Sequence, residues 1–163
     1  MSQTDELLRN NQRYAAAFDK GDLRPAPARK VAVVACMDAR LDPARALGLE
    51  EGDAHVIRNA GGVVTDDAIR SLAISQHLLG TEEIILLHHT DCGMATFTED
   101  EFRRRMVEAA GVKPTWAAES FEDADEDVRQ SIARIRASPF IPRSDAVRGF
   151  VYDVASGRLR EVA

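Results

Sequence analysis

The chain of 163 residues is long enough for one compact domain with a substantial core and too short for two full domains. Hydrophobic residues make up 45% and charged residues 29%, which is typical of a globular protein and argues against a disordered or membrane-spanning one. The net charge of -6 disfavours nucleic acid and anionic membranes as partners. We therefore expect a single domain over residues 1–163 that binds neither.

The N-terminal segment combines a helical pattern with a proline-rich break. Its apolar positions at near-helical spacing are Leu7, Leu8, Tyr14, Ala15 and Phe18. A Gly-Asp step and the sequence Pro-Ala-Pro follow, so residues 1–28 are predicted to form a helical arm and a linker. An apolar stripe on a tether favours packing on a second copy, which predicts a homodimer. The alternative is an arm that folds back on its own chain.

The chain start and the cysteine content bear on the cellular compartment. The first residues lack the basic start and apolar run of a secretory signal, which predicts a cytoplasmic protein. Two cysteines are too few for a disulfide scaffold, and in a reducing compartment metal binding or catalysis is the better interpretation.

Strand and helix patterns alternate along the rest of the chain. Continuous apolar runs at 30–35 and 83–87 indicate buried strands, with a further strand at 55–58. Helices are predicted from the cap at Thr65 to Gly80, from about 96 to 110 and from about 120 to 137. A strand at 148–152 and a turn into 159–162 close the chain. This order predicts an α/β fold: a central, mainly parallel sheet flanked by helices, with the N-terminal helical arm and a C-terminal edge strand or hairpin.

Residues with metal-binding side chains follow the first and third predicted strands. Cys36 comes directly after one strand, and His89 and Cys92 follow the other. Because the carboxyl ends of parallel strands meet at one edge, the three donors converge if these strands are neighbours. Two thiolates and an imidazole match zinc, and three protein donors leave a fourth position open, as in catalytic sites. The sequence therefore predicts a catalytic zinc site.

Asp38 and Arg40 follow Cys36 at alternate positions. In an extended segment, residues at i, i+2 and i+4 point to one side, so we expect all three to face one pocket. Asp38 is predicted to accept a hydrogen bond from zinc-bound water or to act as a pH-dependent fourth ligand, and Arg40 to bind its carboxylate. The fourth zinc position can be taken by Asp38 or by hydroxide, and only hydroxide forms by loss of a proton. Higher pH should therefore favour the form in which Asp38 is off the metal.

The pattern C-x-D-x-R at 36–40, followed by H-x-x-C-G at 89–93, resembles the β-class carbonic anhydrases. The segment 58–61, Arg-Asn-Ala-Gly, is similar to that family's R-N-A-G, and 88–94 is similar to its small bacterial and archaeal branch. The resemblance runs from about Val31 to the last strands. It implies reversible hydration of CO₂ to bicarbonate and a proton, a zinc site of Cys, His and Cys, an Asp-Arg dyad and obligate dimers.

The expected reaction is attack of zinc-bound hydroxide on CO₂, with Asp38 and Arg40 as the catalytic pair. The same fold and metal could instead hydrolyse carbonyl sulfide or carbon disulfide. A further alternative is a non-catalytic zinc-binding module with Asp38 as a permanent ligand. Arg40 argues against this module, because a locked site needs no partner for a released carboxylate.

His88 and the pair Gly61 and Gly62 are expected to have structural roles near the predicted ligands. Alternation along the third strand points His88 away from His89, which predicts a packed histidine. The pair Gly61 and Gly62 lacks the spacing of a dinucleotide or Walker motif, so we expect it to form a close turn beside the metal.

Overall fold

The computed structural model describes residues 2–163. Its helices are α1 (Gln3–Ala16), α2 (Pro43–Leu47), α3 (Asp66–Leu79), α4 (Glu99–Ala110) and α5 (Ala124–Ala137). Its strands are β1 (Val31–Cys36), β2 (Ala54–Asn59), β3 (Glu83–His89), β4 (Val147–Tyr152) and β5 (Leu159–Glu161). Two 3₁₀ turns, Ala60–Gly62 and Gly93–Ala95, follow β2 and β3.

The strands form one sheet in the order β2-β1-β3-β4-β5. Strand β1 pairs in parallel with β2 and β3, and β3 pairs in parallel with β4. Strand β5 is antiparallel to β4 at one edge. The predicted α/β fold with a mainly parallel sheet and a C-terminal edge strand is confirmed. Because β1 and β3 are neighbours, their carboxyl ends lie side by side.

Local chemistry explains where most elements begin and end. The apolar run of β1 is buried on both faces, and Ala32 through Ala35 have no exposed surface. The Thr65 side chain accepts a hydrogen bond from the Ala68 backbone and begins α3, as predicted. Gly80 ends that helix in the left-handed conformation, also as predicted.

Two helices begin later than the sequence pattern suggested. Helix α4 begins at Glu99 rather than near residue 96, because Thr98 and Glu101 form a capping box. Helix α5 begins at Ala124 rather than near residue 120, because the Asp123 side chain accepts a hydrogen bond from the Glu126 backbone. The short helix α2 was not predicted, although Asp42 caps it and proline occupies its first turn.

The two faces of the sheet are covered unequally. Helices α3 and α5 pack on one face, where Leu72, Leu86 and Ile132 are buried in the larger core cluster. The other face is covered by α2 and loops, and there Ile85 and Phe150 are only partly buried. Helix α1 contributes no buried residue to either cluster. The arm thus leaves its apolar positions exposed on this chain.

Candidate metal centre

The structure brings Cys36, His89 and Cys92 together at the carboxyl edge of the sheet. Cys36 ends β1, His89 ends β3, and Cys92 directly precedes the 3₁₀ turn that follows β3. One ligand atom from each residue lies within 4.8 Å of the other two. All three side chains are buried. The parallel pairing of β1 with β3 therefore places the predicted donors in one cluster.

The His89 ring presents a free nitrogen to this cluster. Its Nδ1 lies 2.9 Å from the carbonyl oxygen of Thr90, which can only accept, so Nδ1 carries the hydrogen. The Nε2 atom is buried and has no hydrogen-bond partner among residues 2–163. A buried nitrogen lone pair without a partner costs free energy, and a metal ion would satisfy it. The ring is thus oriented as a metal ligand.

The two thiols strongly affect each other. The neighbouring Cys92 thiol lowers the pKa of Cys36 to about 4, and Cys36 in turn raises the pKa of Cys92. The cause is one proton shared between two close sulfur atoms, which favours a single thiolate. A bound cation replaces that proton, because thiolates are the form that binds zinc. Two thiols and an imidazole therefore fit Zn²⁺.

Asp38 and Arg40 lie beside this cluster, but not in an extended segment. The backbone of residues 38–41 turns, and the Leu41 amide donates to the Asp38 carbonyl at 3.0 Å. The expected extended backbone is wrong. The side chains still converge, because Arg40 Nε donates to Asp38 Oδ1 at 3.0 Å and Nη2 donates to Oδ2 at 2.9 Å. This bidentate pair lowers the pKa of Asp38. Asp38 Oδ2 lies 3.7 Å from His89 Nε2.

Comparisons with known proteins agree with this geometry. The profile of the carbonic anhydrase family matches residues 31–159. Beta-carbonic anhydrase 1 of Mycobacterium tuberculosis (strain ATCC 25618 / H37Rv) is 62% identical over 162 residues, which cover 99% of each protein. This chain belongs to the β-carbonic anhydrase family. Beta-carbonic anhydrases use zinc, and the donor set of this chain fits that metal.

Two further relatives are a carbonic anhydrase of known structure and a protein named for a different substrate. The crystal structure of carbonic anhydrase from Streptococcus mutans superposes with a TM-score of 0.93 at 48% identity, covering 100% of this chain and 99% of that one. Carbon disulfide hydrolase of Acidianus sp. (strain A1-3) is 37% identical over 158 residues, covering 82% of this chain and 77% of that protein. This chain is thus also similar in sequence to a protein named for another substrate.

Asp91 is a residue of this β-carbonic anhydrase site that sequence reasoning missed. Arg40 Nη1 donates to Asp91 Oδ2 at 2.7 Å, and Nη2 donates to the Asp91 carbonyl at 2.9 Å. Asp91 has a φ of 54°, in the left-handed region that few residues other than glycine adopt. Its only sequence signal is its place between His89 and Cys92. Arg40 therefore joins the turn after β1 to the turn after β3.

Gly62 and His88, which were predicted to have structural roles, do have them in this fold. Gly62 has a φ of +73°, and a Cβ there would lie 2.8 Å from the Cys36 nitrogen. This confirms a close turn beside the donor cluster. His88 is fully buried, and its Nε2 lies 2.6 Å from Asp127 Oδ2 on α5, on the opposite face of the sheet from His89. It is a packed histidine, as predicted.

An apolar groove is lined in part by residues that neighbour the donors in sequence. Its volume is about 540 Å³, and its lining includes Met37, Met94, Phe97, Phe102 and Trp116. Met37 directly follows Cys36, and Met94 comes two residues after Cys92. The groove is lined mainly by apolar side chains, some of them next to the donors in sequence, which suits a substrate without charge.

Proposed function

We propose that this protein catalyses the reversible hydration of CO₂ to bicarbonate and a proton, with Zn²⁺ held by Cys36, His89 and Cys92. The observation that carries this proposal is the convergence of two thiols and an unpartnered imidazole nitrogen at one edge of the sheet. Membership of the β-carbonic anhydrase family supports the same activity. The chemistry that Zn²⁺ supplies when bound is Lewis acidity, which makes water a nucleophile near neutral pH.

In this proposal Asp38 orients the attacking water. Its carboxylate lies beside His89 Nε2 and is kept ionised by Arg40, so it can only accept a hydrogen bond. Accepting the water O–H leaves an oxygen lone pair free to attack CO₂. Arg40 is in turn fixed by Asp91, which prevents the Asp38–Arg40 pair from rotating freely.

The role of Asp38 as a pH-dependent fourth ligand stays a prediction. The bidentate contact with Arg40 supports the form in which Asp38 is off the metal. Crystal structures of the zinc-loaded protein at about pH 6 and about pH 8.5 would decide it by showing which oxygen binds the metal. If Asp38 stays on Arg40 at both pH values, it acts only as an orienting acceptor.

Hydrolysis of carbon disulfide or carbonyl sulfide is the second candidate function. The 37% identity to a carbon disulfide hydrolase supports it, and so does the apolar groove, which suits any small uncharged substrate. Stopped-flow CO₂ hydration run beside hydrolysis of both sulfur compounds separates the candidates. Turnover of the sulfur compounds without CO₂ hydration would overturn the first proposal. A non-catalytic zinc-binding module would turn over none of the three substrates.

We also propose a cytoplasmic homodimer. Leu7, Leu8 and Tyr14 on α1 are exposed in the single chain, which supports an arm that packs on a second copy. No helix within residues 2–163 has the length and apolar character needed to cross a membrane. Cell fractionation would test the location.

Replacing a ligand tests the metal site directly. We expect one zinc per chain in the wild type, and His89→Gln should lose most of that zinc together with CO₂ hydration, because an amide is a poor zinc ligand. The matched control is His77→Gln, since His77 is exposed and its hydrogen bond is to the backbone carbonyl of Phe140, outside the donor cluster. Metal analysis and stopped-flow kinetics measure both variants. Full zinc occupancy in His89→Gln, or in Cys92→Ser, would contradict the proposed site.

A further inference from the structure

Arg58, near the end of β2, lies against the turn that carries the catalytic pair. Its Nε donates to the Cys36 carbonyl at 3.0 Å. Its Nη2 lies 2.8 Å from the carbonyl oxygens of both Cys36 and Asp38, and 2.7 Å from that of Leu41. Nη2 has two hydrogens, so these bonds are shared. One side chain from β2 thus joins three carbonyls of the turn at residues 36–41.

This arrangement gives the turn its shape. Three carbonyl oxygens that converge on one point repel each other unless a donor lies among them, and here the donor is a single guanidinium. Within residues 2–163, Arg58 forms no ion pair with a carboxylate, so its charge is directed at these carbonyls. A second bond from β2 supports the same turn, since the Met37 amide donates to the Asn59 carbonyl at 2.8 Å.

We propose that Arg58 is a positioning residue for the reaction. It holds the turn of residues 36–41 so that the Asp38 carboxylate stays beside His89 Nε2 and within reach of Arg40. Arg58 also lines the apolar groove, but its hydrogen bonds within residues 2–163 go to backbone carbonyls of the turn, and it acts through them. This inference rests on the proposed function, because it assumes that Asp38 and Arg40 serve CO₂ hydration.

The substitution Arg58→Lys tests this role. Lysine keeps the positive charge but lacks the planar guanidinium with its several fixed donors, so it cannot bond three carbonyls in the same way. The matched control is Arg148→Lys on β4, which removes a bidentate contact with Glu161 outside the site. We expect Arg58→Lys to keep one zinc per chain and to melt close to the control, while kcat falls about ten- to a hundredfold.

Two readouts distinguish positioning from a general structural role. Hydrogen exchange of residues 37–41, measured by mass spectrometry on the metal-free protein, should be faster in Arg58→Lys and unchanged in Arg148→Lys. A double-mutant cycle with Arg40→Ala should be non-additive, because both residues act on Asp38. Adding Arg58→Lys to Arg40→Ala should then lower kcat no further than Arg40→Ala alone.

Several outcomes would overturn the positioning role. One is a kcat within about twofold of the Arg148→Lys control, and another is a double variant whose losses multiply. A third is loss of zinc or of folding in both Arg58→Lys and Arg58→Gln, which would make Arg58 a determinant of folding. Failure of the proposed function is distinguishable, because then the wild type would not hydrate CO₂. In that case the exchange rates of the metal-free protein still decide whether Arg58 holds the turn.

Discussion

Arg40 is the side chain that connects the separate parts of the proposed site. It binds both carboxylate oxygens of Asp38 and both the carboxylate and the carbonyl of Asp91. The first residue belongs to the turn after β1 and the second to the turn after β3. Since each proposed metal ligand lies on or next to one of these turns, Arg40 sets the orientation of Asp38 relative to the donor cluster.

Arg40→Ala should abolish most CO₂ hydration while zinc is retained. Without its partner the Asp38 carboxylate is free to occupy the fourth metal position, and we expect kcat to fall about a hundred- to a thousandfold. Stopped-flow kinetics and metal analysis measure the two effects separately. Arg45→Ala on α2 is the control, because Arg45 is exposed and outside the site. Equal activity in the two variants, or zinc loss in Arg40→Ala, would refute this role of Arg40.

Gly62→Ala and Gly80→Ala test the close turn beside the donors. Both glycines have positive φ, but a Cβ at Gly62 would lie 2.8 Å from the Cys36 nitrogen, whereas one at Gly80 meets nothing within 4 Å. Gly80→Ala should therefore cost about 1–2 kcal/mol of unfolding free energy through φ alone. Gly62→Ala should cost clearly more and weaken zinc binding, because the clash displaces Cys36.

Urea unfolding and zinc competition with a chelator measure these two effects. Comparable losses of unfolding free energy in the two variants would mean that the turn tolerates a side chain next to Cys36.

At the scale of elements, a buried polar contact joins strand β3 to helix α5, which packs against it. His88 on β3 has no exposed surface, and its Nε2 lies 2.6 Å from Asp127 Oδ2 on α5. The other ring nitrogen, Nδ1, is buried and has no partner within residues 2–163. The contact with Asp127 is thus the hydrogen bond that this ring makes, and it fixes α5 against the strand that carries His89.

Asp127→Ala should destabilise the fold by about 1–3 kcal/mol, because it leaves the buried His88 ring without a hydrogen bond. Asp127→Asn should lose less, since the amide can still bond the ring. Asp125→Ala on the same helix is the control. It removes a surface ion pair with Arg160 and one carboxylate from the first turn of α5, each worth about 1 kcal/mol or less. Urea denaturation measures all three, and equal effects in Asp127→Ala and Asp125→Ala would contradict the role of the buried contact.

At the scale of the whole molecule, one face of the sheet and the arm both leave apolar surface exposed. Ile85 and Phe150 are only partly covered, and Leu7 and Leu8 on α1 are more than half exposed. Such surface is costly in water, which favours a second copy as the cover. The extent of a single domain over residues 1–163 stays a prediction.

Removing apolar residues from α1 should weaken the dimer. The full-length protein is expected to sediment as a dimer, and Leu7→Gln combined with Leu8→Gln should shift it toward monomer at micromolar concentration. Arg9→Gln on the same helix is the control, because it changes a polar position. Analytical ultracentrifugation measures the shift. A monomeric wild type would refute the dimer, and unchanged sedimentation after deletion of residues 1–20 would remove the role of the arm.

The sequence by itself determined the strands and the cluster of donors that we propose as metal ligands. Continuous apolar runs specify buried parallel strands, and donors that directly follow two such strands must lie at the same edge if the strands pair. The caps at Thr98 and Asp123 were also readable, although the helical pattern alone placed the starts of α4 and α5 too early.

Only the tertiary structure decided how the site is held together. The backbone at residues 38–41 is shaped by hydrogen bonds and does not continue the strand. The alternation of side chains along a strand therefore could not predict its conformation. Arg40 reaches Asp91 and Arg58 reaches the turn carbonyls, and both contacts join residues far apart in the chain. Such contacts depend on strand order and side-chain direction, which become fixed only when the sheet assembles.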